Sequence, residues 1–353
     1  MREPSLPRVA VILVNYGDYA ERHLGECYSS LVAQDYPPDR ITLYIADNAS
    51  TEKSRSALLR LAPSARLLPQ AGNLGWAGGN NAALRAALAE PFDFFILLNM
   101  DTFLAPDCLR RLAEAAREQP DKQILQPKIL IYGTDRINSA GNRIQFLGYG
   151  YCLGYGRAAP FKQAEPIDFA SGACMLIKRE VLERIGLFRE DYFLYGEDLE
   201  FCWRARLAGC NVGVAEQSVC QHKYDFKRVL DHVDYIERNR WVTLLTLEKP
   251  ATLLLILPPL LLVQAGSMLY FIFTGHGKTM GRFLRSLLSA ETWAAIRQAR
   301  RRMRALRRRR DADIVRGFAG PIVFAEVRHP FVRFLVNPLL QAYWAAARCL
   351  IFW

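Results

Sequence analysis

Three acidic features of the sequence could take part in metal or proton chemistry. Asp47 and Asp101 each follow an apolar run, and the acidic segment 197–200 follows the aromatic segment 192–195. Carboxylate oxygens are ligands for Mg²⁺ or Mn²⁺, and a carboxylate half-enclosed by apolar groups acquires a raised pKa that suits proton abstraction. Each feature also has a structural interpretation, because acids at such places cap helices or favour their first turn.

His222 is the residue that could complete a metal site with these acids. It ends the short β-like run 219–221, and an imidazole nitrogen can complete the ligand shell of Mn²⁺. A lone histidine is more often structural than a ligand, so the case for His222 depends on the acidic residues that accompany it.

The first 120 residues alternate between predicted strands and helices. Apolar runs predict strands at 8–14, 41–46, 65–69 and 92–98, and helical periodicity predicts helices at 20–33, 52–61 and 76–89. This alternation predicts a doubly wound, Rossmann-like α/β fold with a mostly parallel sheet flanked by helices. Ligands bind at the carboxyl ends of the strands in such sheets, which is where Asp47 and Asp101 fall.

The alternation loosens after about residue 120. We expect a hairpin or loops over 132–156, a strand over 167–178, an amphipathic helix over 197–208 and a long helix over 227–247. An apolar content of 51% against 23% charged residues is typical of a globular chain.

The positive charge of the chain is confined to one segment beside an apolar one. Residues 278–310 contain twelve Lys or Arg and one acid, Glu291, and account for the whole formal charge of +11. Residues 251–273 carry no charge and are long enough to span a bilayer. However, Pro258 and Pro259 are expected to break a helix there, and a single crossing would violate the positive-inside rule.

We therefore expect a broken helix that dips into the membrane and returns. The segment 282–310 would rest on anionic headgroups, where each basic side chain contributes about 1 kcal/mol, and 331–353 would form an interfacial helix. A true membrane span and a purely soluble helical region are the alternatives. A nucleic-acid partner is disfavoured because no nucleic-acid-binding motif accompanies the arginines.

Cysteine usage and the N-terminus indicate the compartment. The eight cysteines are scattered and form no C-x-x-C pair, which favours free thiols in a reducing cytoplasm. No long apolar region precedes Asn15, so no signal peptide is predicted and the globular part is expected inside the cell.

Together these segments resemble glycosyltransferase family 2, with its GT-A fold, and within it the rhamnosyltransferase-like subgroup. The similarity runs over residues 8–245. The matching motifs, in order, are Val9–Tyr16, Asp47–Thr51, Gly72–Asn81, Asn99–Asp101, Ser171–Ala173, Gly186–Phe188 and Tyr195–Glu200.

The resemblance implies catalytic and metal-binding roles. Asp198 matches the second acid of the family's ED pair, which is the general base, and Glu197 matches the first. Asp101 matches the last acid of the DxD metal motif, and Asn99 stands where that motif has its first acid. His222 falls where some members carry a metal-binding histidine. The implied cofactor is Mn²⁺ or Mg²⁺, and the resemblance leaves open whether Asn99 binds metal or ribose.

The resemblance also implies a site for a nucleoside-diphosphate sugar. Asp47 looks like the family's nucleobase-contacting acid, and the loop 73–81 looks like the loop that the family places against the donor. Arg238 either presents its guanidinium to the diphosphate or belongs to a solvated helix face. The donor-binding candidates are Asn15, Tyr16, Asp47, Asn73, Gly75, Trp76, Gly79, Asn80, Asn99, Met100 and Arg238.

The implied function is that of a metal-dependent, inverting hexosyltransferase that moves one sugar, with dTDP-rhamnose or a UDP-hexose as the first guesses for its donor. The acceptor would be a polyprenyl-diphosphate-linked or other glycan in cell-surface polysaccharide assembly, at the cytoplasmic face of the cell membrane. We expect a catalytic domain over 1–248, nucleotide-binding to about residue 120 and acceptor-binding over 121–248. Residues 249–353 would form a peripheral or monotopic membrane-associating region. The sequence is compatible with a homo-oligomer and leaves the oligomeric state open.

The sequence leaves two alternatives to a one-sugar transferase. Residues 237–241 come within one residue of the Q-x-x-R-W motif of processive polysaccharide synthases, but Glu237 replaces Gln and the many spanning segments of an export channel are not predicted. A catalytically silent, membrane-bound sugar-nucleotide-binding protein would bind donor without turnover. The presence of Asp101, Asp198 and His222 argues against it.

Overall fold

The computed structural model describes residues 6–159, 166–224, 231–323 and 329–353. The described chain divides into two compact units. The first consists of residues within 1–142, 152–193 and 210–224, and the second of residues within 143–151, 194–209 and 225–353. The start of the predicted helix 227–247 lies outside the described residues.

The first unit contains a nine-stranded sheet. Its strands have the order β3-β2-β1-β4-β10-β6-β11-β5, and β7 pairs with β6. Four neighbouring pairs are parallel and four are antiparallel, because β10, β5 and β7 run against their partners; six of the nine strands therefore run in one direction, and the predicted α/β fold has a mixed sheet. Strands β8 and β9 form a separate small hairpin. The bounds are β1 Val9–Gly17, β2 Ile41–Ser50, β3 Arg66–Gln70, β4 Phe94–Leu98, β5 Thr102–Leu104, β6 Ile124–Ile131, β7 Ile137–Ser139, β8 Asn142–Ile144, β9 Gly150–Cys152, β10 Cys174–Lys178 and β11 Val212–His222.

Helices cover this sheet because their apolar faces need burial. The continuous apolar run of β1 is buried from Val9 to Leu13, as expected for a strand covered on both faces. On α4, Leu109, Leu112 and Ala116 share one face and join the same core. The helices of this unit are α1 Gly25–Val32, α2 Glu52–Leu61, α3 Gly75–Leu88, α4 Cys108–Glu118 and α5 Arg179–Ile185, with single helical turns at Ala20–Leu24, Pro38–Arg40 and Glu190–Tyr192.

The strand predicted over 167–178 is too long. Only β10, from Cys174 onward, is a strand. Before it, the Ser171 N–H donates to Gln126 Oε1 at 2.8 Å, and Asn142 Nδ2 donates to the Phe169 carbonyl at 3.2 Å. Side chains therefore take the backbone bonds that a strand ladder would use.

The second unit is mainly helical. Its helices are α6 Glu197–Leu207, α7 Val233–Leu247, α8 Pro250–Phe273, α9 Gly277–Leu287, α10 Ala290–Leu306, α11 Asp311–Ile314 and α12 Asn337–Ala347, with turns at Val315–Gly317, Val332–Val336 and Arg348–Leu350. Within the described residues, α8 is the one helix long and apolar enough to cross a membrane, which by itself is weak evidence for a span. Its buried residues recur at helical spacing and form a single face: Thr252, Ile256, Pro259, Leu260 and Gln264.

The predicted break at Pro258 and Pro259 is wrong, because α8 continues through both prolines. Pro259 lacks the N–H that would normally bond to the Leu255 carbonyl one turn earlier. The Tyr343 hydroxyl, from α12, donates to that carbonyl instead. The packing of α12 on α8 thus satisfies a carbonyl that the proline leaves without its helical partner.

The arginine-rich segment is only partly available to a surface. Arg300 donates to the carbonyls of Leu245 and Glu248, and Arg307 donates to the Leu247 carbonyl and to Asp311. These two side chains satisfy carbonyls at the C-terminal end of α7, so the expectation that the whole segment rests on headgroups is wrong for them. Exposed arginines of the segment are Arg282, Arg285, Arg297, Arg301, Arg302, Arg304, Arg308 and Arg310.

Candidate active site

Asn15 joins the carboxyl ends of β1 and β2. It pairs in register with Asp47 on the neighbouring strand and is fully buried. Its Nδ2 donates to Asp47 Oδ1 at 3.4 Å and to Ser54 Oγ at 3.2 Å, and its Oδ1 accepts the Ala20 N–H at 2.9 Å. Asn15 therefore fixes the strand end, and the next residue, Tyr16, is half exposed there.

Asp47 is a buried carboxylate with a charged partner. Its Oδ2 accepts from Arg55 Nε at 2.8 Å, and the Ser50 hydroxyl donates to its Oδ1. The structural interpretation of Asp47 as a helix cap is wrong, because Thr51 caps α2 by accepting the Ser54 N–H. Asp47 thus lies near the carboxyl end of β2, between Arg55 and Asn15, and its contact with a nucleobase stays a prediction.

Asn48 holds the glycine-containing loop against β2. Its Oδ1 accepts the Leu74 N–H at 2.7 Å, and its Nδ2 donates to Asn73 Oδ1 at 3.1 Å. Asn73 Oδ1 also accepts the Gly75 N–H at 2.9 Å. The sequence analysis included Asn48 only within the motif Asp47–Thr51, although its place directly after Asp47 was a usable signal.

Two glycines of this loop are required by close contacts. Gly75 has φ +69°, and a Cβ there would lie 2.3 Å from the Phe193 carbonyl oxygen, which accepts the Trp76 N–H at 2.7 Å. A Cβ at Gly79 would lie 2.7 Å from Val14 Cγ1. Asn80 donates to the Trp76 carbonyl at 2.9 Å. Phe193, itself at φ 59°, is a contact that the sequence did not predict.

Trp76 fixes the orientation of Asn99. The indole Nε1 donates to Asn99 Oδ1 at 2.8 Å. An indole N–H can only donate, so the carbonyl oxygen of the amide must face Trp76 and its NH₂ group must point elsewhere. The next side chain, Met100, is buried in the core. A contact between Met100 and a sugar nucleotide would therefore have to use its backbone.

The sheet brings Asp101 and His222 together. Strand β5 runs antiparallel to β11, and His222 lies opposite Thr102. Asp101 Oδ1 is 3.4 Å from His222 Nε2, and the other ring nitrogen, Nδ1, is 3.2 Å from Asn138 Oδ1. Asp101 does not cap α4, because β5 intervenes before that helix begins at Cys108.

This pair fits one side of a divalent metal site. Two ligands of an octahedral ion, each bonded at about 2.0–2.1 Å, lie roughly 3 Å apart, close to the 3.4 Å between Asp101 Oδ1 and His222 Nε2. No group of three or more His, Cys, Asp or Glu side chains that could hold a metal is found among the described residues. The chain thus offers two side-chain ligands, and Mg²⁺-like ions take their remaining ligands from phosphates and water.

The acidic segment of the second unit opens α6, as predicted. Glu197 is buried, and burial together with the adjacent Asp198 raises the pKa of Glu197 well above its usual value. Asp198 is half-buried and accepts the Leu199 N–H at 2.8 Å. Glu200 is fully buried and accepts two hydrogen bonds from Arg204, at 2.9 and 3.1 Å. Glu200 therefore has a structural ion pair, whereas Asp198 keeps partial access to solvent.

Arg238 lies in the interior of the second unit. Its guanidinium donates to Asn239 Oδ1 at 2.8 Å and to Thr292 Oγ1 at 3.3 Å. Asn239 in turn donates to the Leu194 and Tyr195 carbonyls, at 3.0 and 2.7 Å, just before the acidic segment. Because Arg238 is buried, the alternative of a solvated helix face is wrong, while its contact with the diphosphate stays a prediction.

Solved structures of similar fold include GalNAc-T7 and TarS. GalNAc-T7, whose crystal structure contains UDP, GalNAc and Mn²⁺, aligns with a TM-score of 0.53 at 13% identity, over 69% of this chain and 48% of that one. TarS of S. aureus aligns with a TM-score of 0.50 at 15% identity, over 85% of this chain and 54% of that one. The fold is therefore GT-A.

The sequence profile described as Glycosyl transferase family 2 matches residues 10–186. The chain belongs to this family, as the resemblance predicted. The low-salt glycan biosynthesis hexosyltransferase Agl10 of Haloferax volcanii is 28% identical, over 60% of this chain and 66% of the relative. The N-acetylglucosaminyl-diphospho-decaprenol L-rhamnosyltransferase of Mycobacterium tuberculosis is also 28% identical, over 60% of this chain and 75% of the relative. The chain thus spans about two thirds to three quarters of these relatives.

Proposed function

We propose that this chain is an inverting glycosyltransferase that moves one sugar from a nucleoside-diphosphate sugar to a lipid-linked glycan. The observation that carries the proposal is the Asp101–His222 pair, with Oδ1 and Nε2 3.4 Å apart, in a member of glycosyltransferase family 2. The relatives named as a hexosyltransferase and as a rhamnosyltransferase acting on a decaprenol-linked sugar support it. They make dTDP-rhamnose or a UDP-hexose the first donors to test.

Asp101 and His222 are the residues that would hold Mn²⁺ or Mg²⁺. A bound ion supplies charge neutralisation for the departing diphosphate. Asp101 directly precedes β5 and His222 ends β11, and these two strands pair with Thr102 opposite His222, so their ligand atoms would be positioned before the donor arrives. The amide NH₂ of Asn99, directed by Trp76, would donate to an oxygen of the donor rather than bind the metal.

Asp198 would act as the base. It takes the proton of the acceptor hydroxyl, whose oxygen attacks the anomeric carbon opposite the diphosphate. The bond from the anomeric carbon to the diphosphate oxygen breaks, the nucleoside diphosphate leaves with the bonding electrons, and the anomeric configuration inverts. The raised pKa of Glu197 supports this choice, because burial and the adjacent Asp198 favour the neutral form of Glu197, which is a poorer proton acceptor than a carboxylate.

Residues 249–353 would attach the catalytic domain, residues 1–248, to the cytoplasmic face of the membrane. On α8, the side chains of Leu262 and Phe273 are 74% and 85% exposed, and near α12 Phe334 is 70% exposed. Exposed large apolar side chains of this number are uncommon on a free soluble surface. The exposed arginines of α10 would add attraction to anionic lipid. Because one face of α8 is buried in the protein, its opposite face would be available for contact with the membrane.

The test is transfer with the purified full chain, MnCl₂ or MgCl₂, a panel of nucleoside-diphosphate sugars and a polyprenyl-diphosphate-linked acceptor. We expect one donor to give a product one sugar longer with inverted configuration. Longer products on the same acceptor would favour the processive alternative. Donor binding without any turnover, in wild type and in Asp198→Asn alike, would favour the alternative of a catalytically silent sugar-nucleotide-binding protein.

A further inference from the structure

We infer that Asn138 is a positioning residue that sets the protonation pattern of His222 for metal binding. The inference rests on the proposed function, because it takes Asp101 and His222 as the metal ligands. Asn138 lies in β7, is 5% exposed, and has its Oδ1 3.2 Å from His222 Nδ1. No other side-chain hydrogen bond of Asn138 occurs among the described residues.

The chemistry of the two groups fixes which ring nitrogen carries the proton. An amide oxygen only accepts, so Nδ1 must be the donor in this contact. A neutral imidazole has one N–H, and its second nitrogen, Nε2, then presents a lone pair. That nitrogen is the one 3.4 Å from Asp101 Oδ1. The lone pair therefore faces the carboxylate with which it would share a metal.

The sheet explains why Asn138 reaches His222. Strand β7 pairs with one side of β6, and β11 pairs with its other side. His222 lies opposite Ile131, the last residue of β6, and Ile131 donates its N–H to the Arg136 carbonyl at 2.8 Å. The turn after β6 thus returns the chain to place Asn138 beside the ring. Outer hydrogen-bond partners of this kind orient metal-binding histidines and raise their ligand basicity.

Manganese affinity of the full chain tests the inference. MnCl₂ is titrated into wild type, Asn138→Leu and Asn138→Asp, and the concentration of free Mn²⁺ is measured by electron paramagnetic resonance. We expect Asn138→Leu to bind Mn²⁺ about 10-fold more weakly or worse, the range for such outer partners being roughly 10–100-fold. Asn138→Asp should bind as tightly as wild type or tighter, because its carboxylate still accepts from Nδ1. Wild-type affinity in a folded Asn138→Leu would overturn the inference.

A matched control separates this effect from the loss of a buried amide. Asn142 is also buried and bonds to Gln126 and Phe169, so Asn142→Leu should lower stability without lowering Mn²⁺ affinity. If Asp101→Ala and His222→Ala leave Mn²⁺ binding unchanged, the metal site of the proposed function fails. If they weaken it while Asn138→Leu does not, only the role of Asn138 fails.

A metal-free measurement on wild type keeps the test independent of how the variants fold. Nitrogen chemical shifts of ¹⁵N-histidine protein, assigned with His222→Gln and recorded where the ring is neutral, report the tautomer directly. We expect the Nδ1–H form in wild type and in Asn138→Asp. A predominant Nε2–H form in wild type would overturn the inference.

Discussion

Neighbouring side chains in the acidic segment differ in their burial and in their partners. Glu200 is neutralised by Arg204, Glu197 is buried and carries a raised pKa, and Asp198 is half-buried. A base must be within reach of its substrate, and of the three acids Asp198 is the one that is only half-buried, which supports the proposal that it is the base. The sequence could place these acids on one helix start, but their burial came from the packing of α6.

Asp198→Asn should keep donor affinity and lose turnover. General-base catalysis is worth about 10²–10⁴-fold, so we expect kcat to fall by that range, with donor Kd unchanged in calorimetry. Glu197→Gln is the matched control. Because burial and the adjacent Asp198 favour the neutral form of Glu197, the neutral amide should preserve most of kcat. Full activity in Asp198→Asn would remove Asp198 from the mechanism.

Trp76→Phe tests the orientation of Asn99. The substitution keeps an aromatic ring but removes the indole N–H that donates to Asn99 Oδ1. A hydrogen bond of this kind contributes about 1 kcal/mol, so we expect donor Kd to rise by roughly fivefold. Mn²⁺ affinity in the absence of donor should stay unchanged. If Mn²⁺ affinity falls as far as in Asp101→Ala, Asn99 is a metal ligand after all.

At the scale of elements, the loop before α3 depends on Gly75. An added Cβ would meet the Phe193 carbonyl at 2.3 Å, at a positive φ of +69°. We expect Gly75→Ala to lower the free energy of unfolding by about 1–3 kcal/mol and to weaken donor binding, measured by urea unfolding and calorimetry. Gly72→Ala is the control, since nothing lies within 4 Å of its Cβ. Equal effects of both substitutions would contradict this role of Gly75.

The contact between α12 and α8 allows a rescue experiment. Tyr343→Phe removes the donor to the Leu255 carbonyl, and leaving that carbonyl without a partner should cost about 1–3 kcal/mol of unfolding free energy. Pro259→Ala restores the N–H that normally bonds there. In the Pro259→Ala background, Tyr343→Phe should therefore cost less. Additive effects in this double-mutant cycle would show that the two groups do not share the carbonyl.

Several elements could be predicted because their signals are local. The apolar run of β1, the helix α2 and the start of α6 agree with the sequence to within a few residues. The strand over 167–173 and the break at Pro258 were wrong for a common reason. In both cases a side chain distant in sequence, Gln126 or Tyr343, forms a hydrogen bond with the backbone. The backbone then adopts a conformation other than the one that the local sequence favours.

At the scale of the whole molecule, we propose binding to anionic membranes. The full chain should sediment with vesicles containing phosphatidylglycerol, and less so at high salt because the charge attraction is screened. Leu262→Asp and Phe334→Asp should each reduce the bound fraction. Leu59→Asp is the control, because Leu59 is a similarly exposed leucine on α2 of the first unit. An unchanged bound fraction in all three variants would exclude α8 and α12 as the attachment surface.

The sequence by itself determined the alternation of strands and helices, the α/β class of the fold, and the family motifs that contain Asp101 and Asp198. These follow from local periodicity and from residue order. Only the tertiary structure decided that Asp101 Oδ1 and His222 Nε2 lie 3.4 Å apart, that Asn138 orients that histidine, and that Trp76 directs Asn99. Such contacts join residues far apart in the chain, and they depend on strand register and side-chain packing, which no local pattern specifies.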